Sequence, residues 1–492
     1  MEIDPAVRSA LTAFTSEEGP RAGDAFRRLV TTVWNHGTAE PTAAASVPDL
    51  VAALGTATAR HRPLLAILLG LLAETGGDEG GTRAAVHGGL DRYLALVDDA
   101  RTDQPLAAAL LYLLGHFPQD RDTILGAVRE LPVAESDLSR LDRRLSPLDP
   151  LDPQLGRTWP SPVDWELSEE ERALDLAWVR ELPGDQVAAL WENDSRSLLA
   201  YAGAKALWAA EHGWSAYQPD PSLTLPPAGR AEQRANPVSA HADALRCPAC
   251  RGRLEFRVDG AHCTGTCGAD GPLVEGVLDL SGGVGNGTAA MARNVPLRYD
   301  NALRPAFLRL MGTNWAGVVP VPDEDRYLED RVRPVDGPVL DLAAGTGRWT
   351  WVLAEQLGAE RVIALDLSPA MLKRLREVLP EVSTVRGSAV SLPFDDSSLG
   401  AVNCWNALQA LPDAGEAIAE VGRCLRPGGT FTLMTFRPAE DPLYRYFQTL
   451  PRGVIVFEPE AVRELLEKAG MTVVDLSGEG SFLFITAVRE PR

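Results

Sequence analysis

The sequence predicts a multidomain chain with an all-α amino-terminal region, a small unit organised by four cysteines, and a carboxy-terminal Rossmann-like α/β domain. Three observations predict this. At 492 residues the chain exceeds one compact core, and about 150 residues per domain suggests roughly three units. From Asp4 to about His212 apolar residues recur at three- and four-residue spacing, as helices require, with little strand-like alternation. After Pro338, short apolar runs that end in a glycine turn or an acid precede helical patterns, as parallel strands joined by helices do.

In the helical region, Pro63 opens an apolar helix, Leu64 to Glu74, followed by Arg83 to Val97; Pro105 opens Leu106 to His116, followed by Arg121 to Leu131. The two prolines stand 42 residues apart with a helix pair each time. This spacing resembles the HEAT-type helical repeat of about 40–47 residues; an irregular helical bundle is the alternative. Leu145 to Asp164, with five prolines, breaks the array. Helices resume at Ser168 to Leu182 and Ser195 to Glu211, and Gln218 to Ser239, again rich in proline, reads as the main linker. The expected division is a helical domain over 1–215, a Pro-rich linker over 216–245, the cysteine unit over 246–284, capping helices over 285–333 and the α/β domain over 334–492.

The longest apolar run, Leu64 to Ala73, is about half the ~20 residues that a membrane span needs, so no membrane association is expected. Met1 to Glu18 carries acids and lacks the basic and apolar regions of a secretory signal, which leads to the expectation of a cytoplasmic protein. The formal net charge is -21. From Arg331 onward 17 basic residues face 21 acidic ones, so most of the negative charge lies before Arg331. Nucleic-acid binding rests on Lys and Arg neutralising phosphates, and this balance argues against it.

Four of the six cysteines lie between Cys247 and Cys267. Cys247, Cys250, Cys263 and Cys267 form a C-x2-C-x12-C-x3-C pattern, in which each short knuckle lets two thiolates converge on one ion. Four thiolates suit tetrahedral zinc, closed and therefore structural; buried or disulfide cysteines are the alternative. His262, beside Cys263, competes as a ligand only if it turns inward. From Cys247 through Leu273 to Leu280 the sequence resembles the zinc ribbon that precedes many bacterial methyltransferases. In the 23S rRNA guanine-N1 methyltransferase family such a ribbon helps contact RNA. Here Arg246, Arg251, Arg253 and Arg257 are outnumbered by Glu255, Asp259, Asp270, Glu275 and Asp279, a departure from a basic RNA-reading surface.

Pro338 to Arg348 reads as a buried strand, a glycine turn and the start of a helix; Gly345 and Gly347 let backbone approach a ligand and turn sharply. Arg361 to Asp366 is a second apolar strand, one strand-and-helix unit after Asp341, and it ends in an acid whose carboxylate can accept hydrogen bonds from both ribose hydroxyls. A dinucleotide-binding domain would show this much. Two further segments separate the two: Gly387-Ser388-Ala389 with Leu392-Pro393-Phe394 resembles the adenine-enclosing segment of class I S-adenosylmethionine-dependent methyltransferases, and Leu425 to Gly429 resembles their "LxPGG" turn.

The resemblance, nearest to the ubiquinone-type branch, implies a class I methyltransferase fold over about 334–492 that uses S-adenosylmethionine. It further implies that Asp341 holds the methionine amino group directly or through water, that Asp366 and the adjoining Leu367 meet the ribose, and that Ser388 and Ala389 edge the adenine. Asn403 and Cys404, with the residues to Asn406, would line the methionine side. Ala343 stands where the family has its first turn glycine, and Ser388 where it has an aspartate. Leu297 to Asp300, containing Tyr299, resembles the "YD" helix that covers the cofactor in relatives, and Pro438 to Gly453, with Tyr444, Tyr446 and Phe447, occupies the place of a substrate cap unless those aromatics serve helix packing.

Methyl transfer from a sulfonium needs alignment more than a strong base. No histidine occurs after His262, so Trp405, Asn406 and Gln409 are the candidate orienting residues of the pocket, with Trp405 equally readable as a core aromatic. The function expected is methyl transfer to a small-molecule or peptide-like metabolite, as in bacterial natural product biosynthesis. An rRNA guanine methyltransferase and an interaction protein with an inactive methyltransferase fold are the alternatives. The helical region would shape substrate access and could meet a second copy or a carrier protein.

Overall fold

In the computed structural model the described residues are 4–17, 21–75, 81–158, 161–164, 167, 169–213, 235–283, 304–310 and 321–491. The chain divides into two units. One joins Met1–Gln218 with Pro305–Gly317 and Ala439–Gly453; the other comprises Pro219–Arg304, Val318–Pro438 and Val454–Arg492. Most of the expected linker, and Tyr299 with the segment Leu297 to Asp300, lie outside the described residues.

The first unit is helical. Asp103 caps the helix Gln104–Leu114 by accepting from the Leu106 amide at 3.0 Å, with Pro105 in the first turn. This helix and His61–Glu74 are apolar on all sides and buried almost throughout, as befits the centre of a bundle. They lie against one another, and Gly70 leaves room for Tyr112: a Cβ there would stand 2.4 Å from the ring. Such enclosure matches the irregular bundle and does not establish stacked repeats, whose helix pairs meet only their neighbours. The single helix expected over Arg83 to Val97 is three short ones, Thr82–His87, Leu90–Ala95 and Val97–Ala100. The first break falls at Gly88 and Gly89, where Tyr93 folds back to donate its hydroxyl proton to the Val86 carbonyl at 2.8 Å, and the second at Leu96. A two-strand hairpin, β1 (Trp34–Asn35) and β2 (Thr38–Ala39), turns through His36 and Gly37 at φ 44° and 85°, a feature that helical periodicity did not signal.

The helix Pro442–Thr449 belongs to this unit too. Phe447 packs edge-on to Tyr112 at 5.5 Å, and Gly203 in the helix Gly184–His212 admits it, since a Cβ there would meet the ring at 2.2 Å. Tyr444 and Phe447 are buried in the helical core. The aromatic spacing after the fifth strand of the α/β domain is therefore the spacing of a packing helix.

The second unit is built on one sheet. Its strands are β3 (Leu254–Arg257), β4 (Gly260–Cys263), β5 (Asp270–Val274), β6 (Val277–Asp279), β7 (Val339–Leu342), β8 (Val362–Asp366), β9 (Ser383–Arg386), β10 (Leu399–Trp405), β11 (Leu425–Phe436), β12 (Met471–Ser477) and β13 (Phe482–Arg489). The order is β12-β13-β11-β10-β7-β8-β9-β6-β5-β4-β3. From β9 to β11 neighbours are parallel, and the order reverses between β7 and β10, which places the crevice at the carboxyl ends of those strands. β13 runs antiparallel between β11 and β12, unlike the all-parallel dinucleotide-binding sheet. The cysteine-bearing hairpins are no separate body: β6 pairs in parallel with β9, Leu278 opposite Val385, and the Arg386–Asp279 ion pair at 2.7 Å fastens the junction.

Candidate active site and metal centre

The last residues of β7 and the turn after it form the floor of the crevice. Ala343, Gly345 and Gly347 all take positive φ, 56°, 57° and 92°. Ala343 thus adopts the left-handed backbone that a glycine takes freely, at a cost of about 1–2 kcal/mol. A Cβ on Gly345 would meet nothing within 4 Å, whereas on Gly347 it would meet Leu375 at 2.8 Å: the first borders open space, and the second, the residue before the helix Arg348–Leu357, packs against the helix Pro369–Val378.

Asp366, at the end of β8, accepts the Gly345 amide on Oδ2 at 2.9 Å and the Ser368 amide on Oδ1 at 2.8 Å. One carboxylate therefore pins the glycine turn and the backbone of Ser368, the residue that caps the helix Pro369–Val378, while burial raises its pKa. Asp341 is enclosed between Thr350, whose hydroxyl donates at 2.5 Å, and Asn403, whose amide donates at 2.8 Å. Burial pushes its pKa up to about 6 against these two hydrogen bonds. Thr350 was not foreseen; it lies one helical turn beyond Gly347, a position that spacing alone does not single out.

The structure brings Asp341, Ala343, Gly345, Gly347, Asp366, Leu367 and Asn403 together along the carboxyl ends of β7, β8 and β10, with Ser388 and Ala389 following β9. Cys404 is fully enclosed and burial pushes its thiol up to about 12, so only its backbone is available to a ligand. Trp405 is 3% exposed, surrounded by Tyr327, Trp349 and Phe484, and its indole donates to Glu324 at 2.7 Å. This placement is that of a core aromatic. Asn406 sits at φ 57°, tolerable for asparagine, and Gln409 donates to its carbonyl at 3.0 Å and accepts from Thr435 at 3.0 Å.

At the metal centre the four Sγ atoms of Cys247, Cys250, Cys263 and Cys267 lie within 4.8 Å of one another. Thiolates about 2.3 Å from zinc would be about 3.8 Å apart, so the set needs only small shifts to hold the ion. The knuckles meet so closely that Cβ atoms on Gly252 and Gly265 would each stand under 3.0 Å from the other's backbone, at 2.7 Å and 2.8 Å. His262 turns away and pairs with Asp270 at 2.7 Å. No substrate-sized opening is needed at a four-thiolate centre, and the residues fit a structural ion.

A parallel sheet with this order reversal, a glycine turn at its first strand and acids at the ends of β7 and β8 defines a Rossmann-like nucleotide-cofactor domain; its antiparallel β13 and the enclosed Asp341 go with a methyltransferase domain. The family model described as "Methyltransferase domain" matches residues 339–429, and the chain carries such a domain there. Among relatives, an uncharacterised chloroplastic methyltransferase of Arabidopsis thaliana is 29% identical over 212 residues, 40% of this chain and 58% of its own. A demethylmenaquinone methyltransferase of Lactiplantibacillus plantarum is 38% identical over 114 residues, 22% of this chain and 48% of its own. The chain thus spans less than two thirds of the length of either. Among solved structures, phosphoethanolamine N-methyltransferase 2 of Haemonchus contortus, in complex with S-adenosyl-L-methionine, aligns at 16% identity and TM-score 0.31 over 34% of this chain and 53% of its own. An S-adenosylmethionine-dependent methyltransferase of Mesorhizobium loti aligns at 22% identity and TM-score 0.29 over 33% and 96%.

Proposed function

We propose that this chain transfers a methyl group from S-adenosylmethionine to a small-molecule or peptide-like metabolite in bacterial specialised metabolism. The observation that carries this reading is the pair of carboxylates Asp341 and Asp366 at neighbouring strand ends, one enclosed and one tying down the glycine turn. Asp366 and Leu367 meet the ribose, Asp341 takes the amino group, Ala343, Gly345 and Gly347 bring backbone close, and Ser388 and Ala389 border the adenine. Asn403 and the Cys404 backbone line the methionine side, and Tyr299 is assigned to the cover by resemblance alone. The sulfonium supplies the methyl group, so the chain's part is to align the acceptor and exclude water. Asn406 and Gln409, hydrogen-bonded to each other, are the orienting pair at the end of β10.

The charge of -21 weighs against an RNA substrate. So do the ribbon arginines: Arg246 pairs with Asp395, Arg251 with Glu420 and Arg257 with Glu255. Zinc at the four cysteines stabilises the ribbon and takes no part in the reaction. The helical unit, whether or not it descends from HEAT-type repeats, shapes access for the substrate and offers a surface to a second copy or a carrier protein. The test is incubation of the full chain with methyl-labelled S-adenosylmethionine and two acceptor pools, a low-mass cell extract and ribosomal RNA. Label is expected in the low-mass or peptide fraction. Label in the RNA overturns the reading in favour of the rRNA alternative, and tight cofactor binding without any turnover favours an interaction protein.

Asp341 gives this reading a pH signature. Its ionised form is the one that attracts an ammonium, and burial has raised its pKa to about 6 from 3.8. Without cofactor, the ionised carboxylate costs stability progressively as pH rises from about 4 through 6. The sign for binding is opposite: affinity for S-adenosylhomocysteine, which keeps the amino group, is expected to fall as pH drops through about 6, by up to about tenfold per pH unit. Calorimetry from pH 5 to 8 checks it, and Asp341→Asn should bind more weakly with a shallower slope; an identical slope in the variant removes Asp341 from the role.

A further inference from the structure

Around the first turn of the helix Arg348–Leu357, the buried atoms Arg304 Nε, Trp349 Nε1 and Asn403 Oδ1 have no hydrogen-bond partner among the described residues, nor do Arg348 Nη1 and Asp325 Oδ1, whose side chains close on each other as an ion pair at 2.6 Å. A buried polar atom left unmet is costly, so their concentration in one corner calls for a ligand. The surroundings explain how they are held. Arg304 is 6% exposed, and its Nη2 reaches both oxygens of the fully buried Glu324 at 2.8 and 2.6 Å. Glu324 also accepts the Trp405 indole, so its oxygens are satisfied and the ion pair is neutral as a whole. The guanidinium lies 4.6 Å from the ring centre of Trp349, which stands two residues beyond Gly347 and 6.3 Å from Trp405. Arg304 is thereby fixed on one edge by Glu324 and stacked on its face by Trp349, with Nε left over.

With Arg348 and Asp325 neutralising each other, the unmet donors on Arg304 and Trp349 and the unmet acceptor on Asn403 are the complement of a zwitterion. Arg304 Nε and Trp349 Nε1 suit a carboxylate; Asn403 Oδ1, on a side chain already bonded to Asp341, suits an ammonium. We infer that Arg304 and Trp349 are positioning residues for the carboxylate of the cofactor's amino acid end. This inference rests on the S-adenosylmethionine reading above and assigns the residues that orient the end of the donor nearest the methyl group. Glu324 acts through Arg304, holding its guanidinium in place. Trp405 has the same function one step further out, which gives the tryptophan at the end of β10 a supporting part without contact with the substrate.

The experiment is calorimetry on the full chain with two ligands: S-adenosylhomocysteine, and methylthioadenosine, which has the same nucleoside and no amino acid end. Wild type is expected to bind both. Arg304→Met should lose about 10- to 100-fold in affinity for S-adenosylhomocysteine, the worth of a charge-assisted hydrogen bond, while methylthioadenosine stays within about twofold. Retained methylthioadenosine binding also shows that the variant is folded despite the stranded Glu324. Arg304→Lys should recover part of the loss. Trp349→Phe, which keeps a ring under the guanidinium and removes the N–H, should weaken S-adenosylhomocysteine alone. Equal loss of both ligands in these variants, or no loss of S-adenosylhomocysteine, overturns the inference. A wild-type chain that binds neither ligand instead overturns the cofactor reading on which it rests.

Discussion

Replacing Asp366 by Ala is expected to lower the affinity for S-adenosylhomocysteine by about 2–4 kcal/mol, roughly 30- to 1000-fold, measured by calorimetry at pH 7.5. Two losses add. On the proposed reading the carboxylate gives up its hydrogen bonds from the ribose hydroxyls, and it also releases the Gly345 and Ser368 amides at 2.9 and 2.8 Å that set the turn and the following helix. Asp366→Asn separates them: its remaining carbonyl can hold one amide, so the turn is expected to persist while the ribose loses an ionic partner. The loss for Asn should therefore be smaller than for Ala. Unchanged affinity in Asp366→Ala would refute the ribose assignment.

On the reading of the four cysteines as a zinc site, removal of one thiolate by Cys247→Ser is expected to deplete the ion, from about one per chain to a small fraction, and to destabilise the second unit. Structural zinc supplies on the order of 10 kcal/mol to the folding of small metal-organised units. Here the consequence reaches further than the knuckles. β6 of the ribbon is hydrogen-bonded to β9, and the isolated bridge from Leu245 to Phe394 ties the segment before Cys247 to the loop after β9. A frayed ribbon therefore exposes the edge of the central sheet. Each 1 kcal/mol lost should lower the unfolding midpoint by about 2–4 °C in a unit of this size, and the total shift is expected to exceed about 10 °C, roughly three such increments. Metal analysis and thermal unfolding check both parts. Full stability with turnover alone abolished would point instead to a catalytic ion.

The features legible in the sequence share one property: their parts are close along the chain. Cys247 and Cys250 make a knuckle because so short a link cannot carry them apart, and Gly345 and Gly347 make a turn because their backbone reaches positive φ where other residues are strained. Asp366 is recognisable because it ends an apolar run. Ala343 is instructive in the same way: its departure from glycine was visible beforehand, and it nevertheless sits at φ 56°. The surrounding strand and turn hold it there.

What the sequence by itself determined is thus the local chemistry: the helical composition of the chain up to about His212, the four-thiolate set, the strand-turn-helix of the methyltransferase domain and its two acids. Only the tertiary structure decided which side chains face inward and what meets them. Tyr444 and Phe447 follow a strand of the α/β domain and yet fill the helical core, because Gly203 and Tyr112, from much earlier in the chain, shape the space that Phe447 occupies. Trp405 ends a strand as an active-site residue would, but Glu324, which lies 81 residues earlier, supplies the acceptor that settles its indole in the interior. Asp341 was identifiable as an acid at a strand end; its raised pKa comes from enclosure, which no spacing encodes. The reason is common to all three. Periodicity records whether a residue is apolar and how often it recurs, whereas burial and hydrogen-bond partners depend on contacts between segments far apart in the chain.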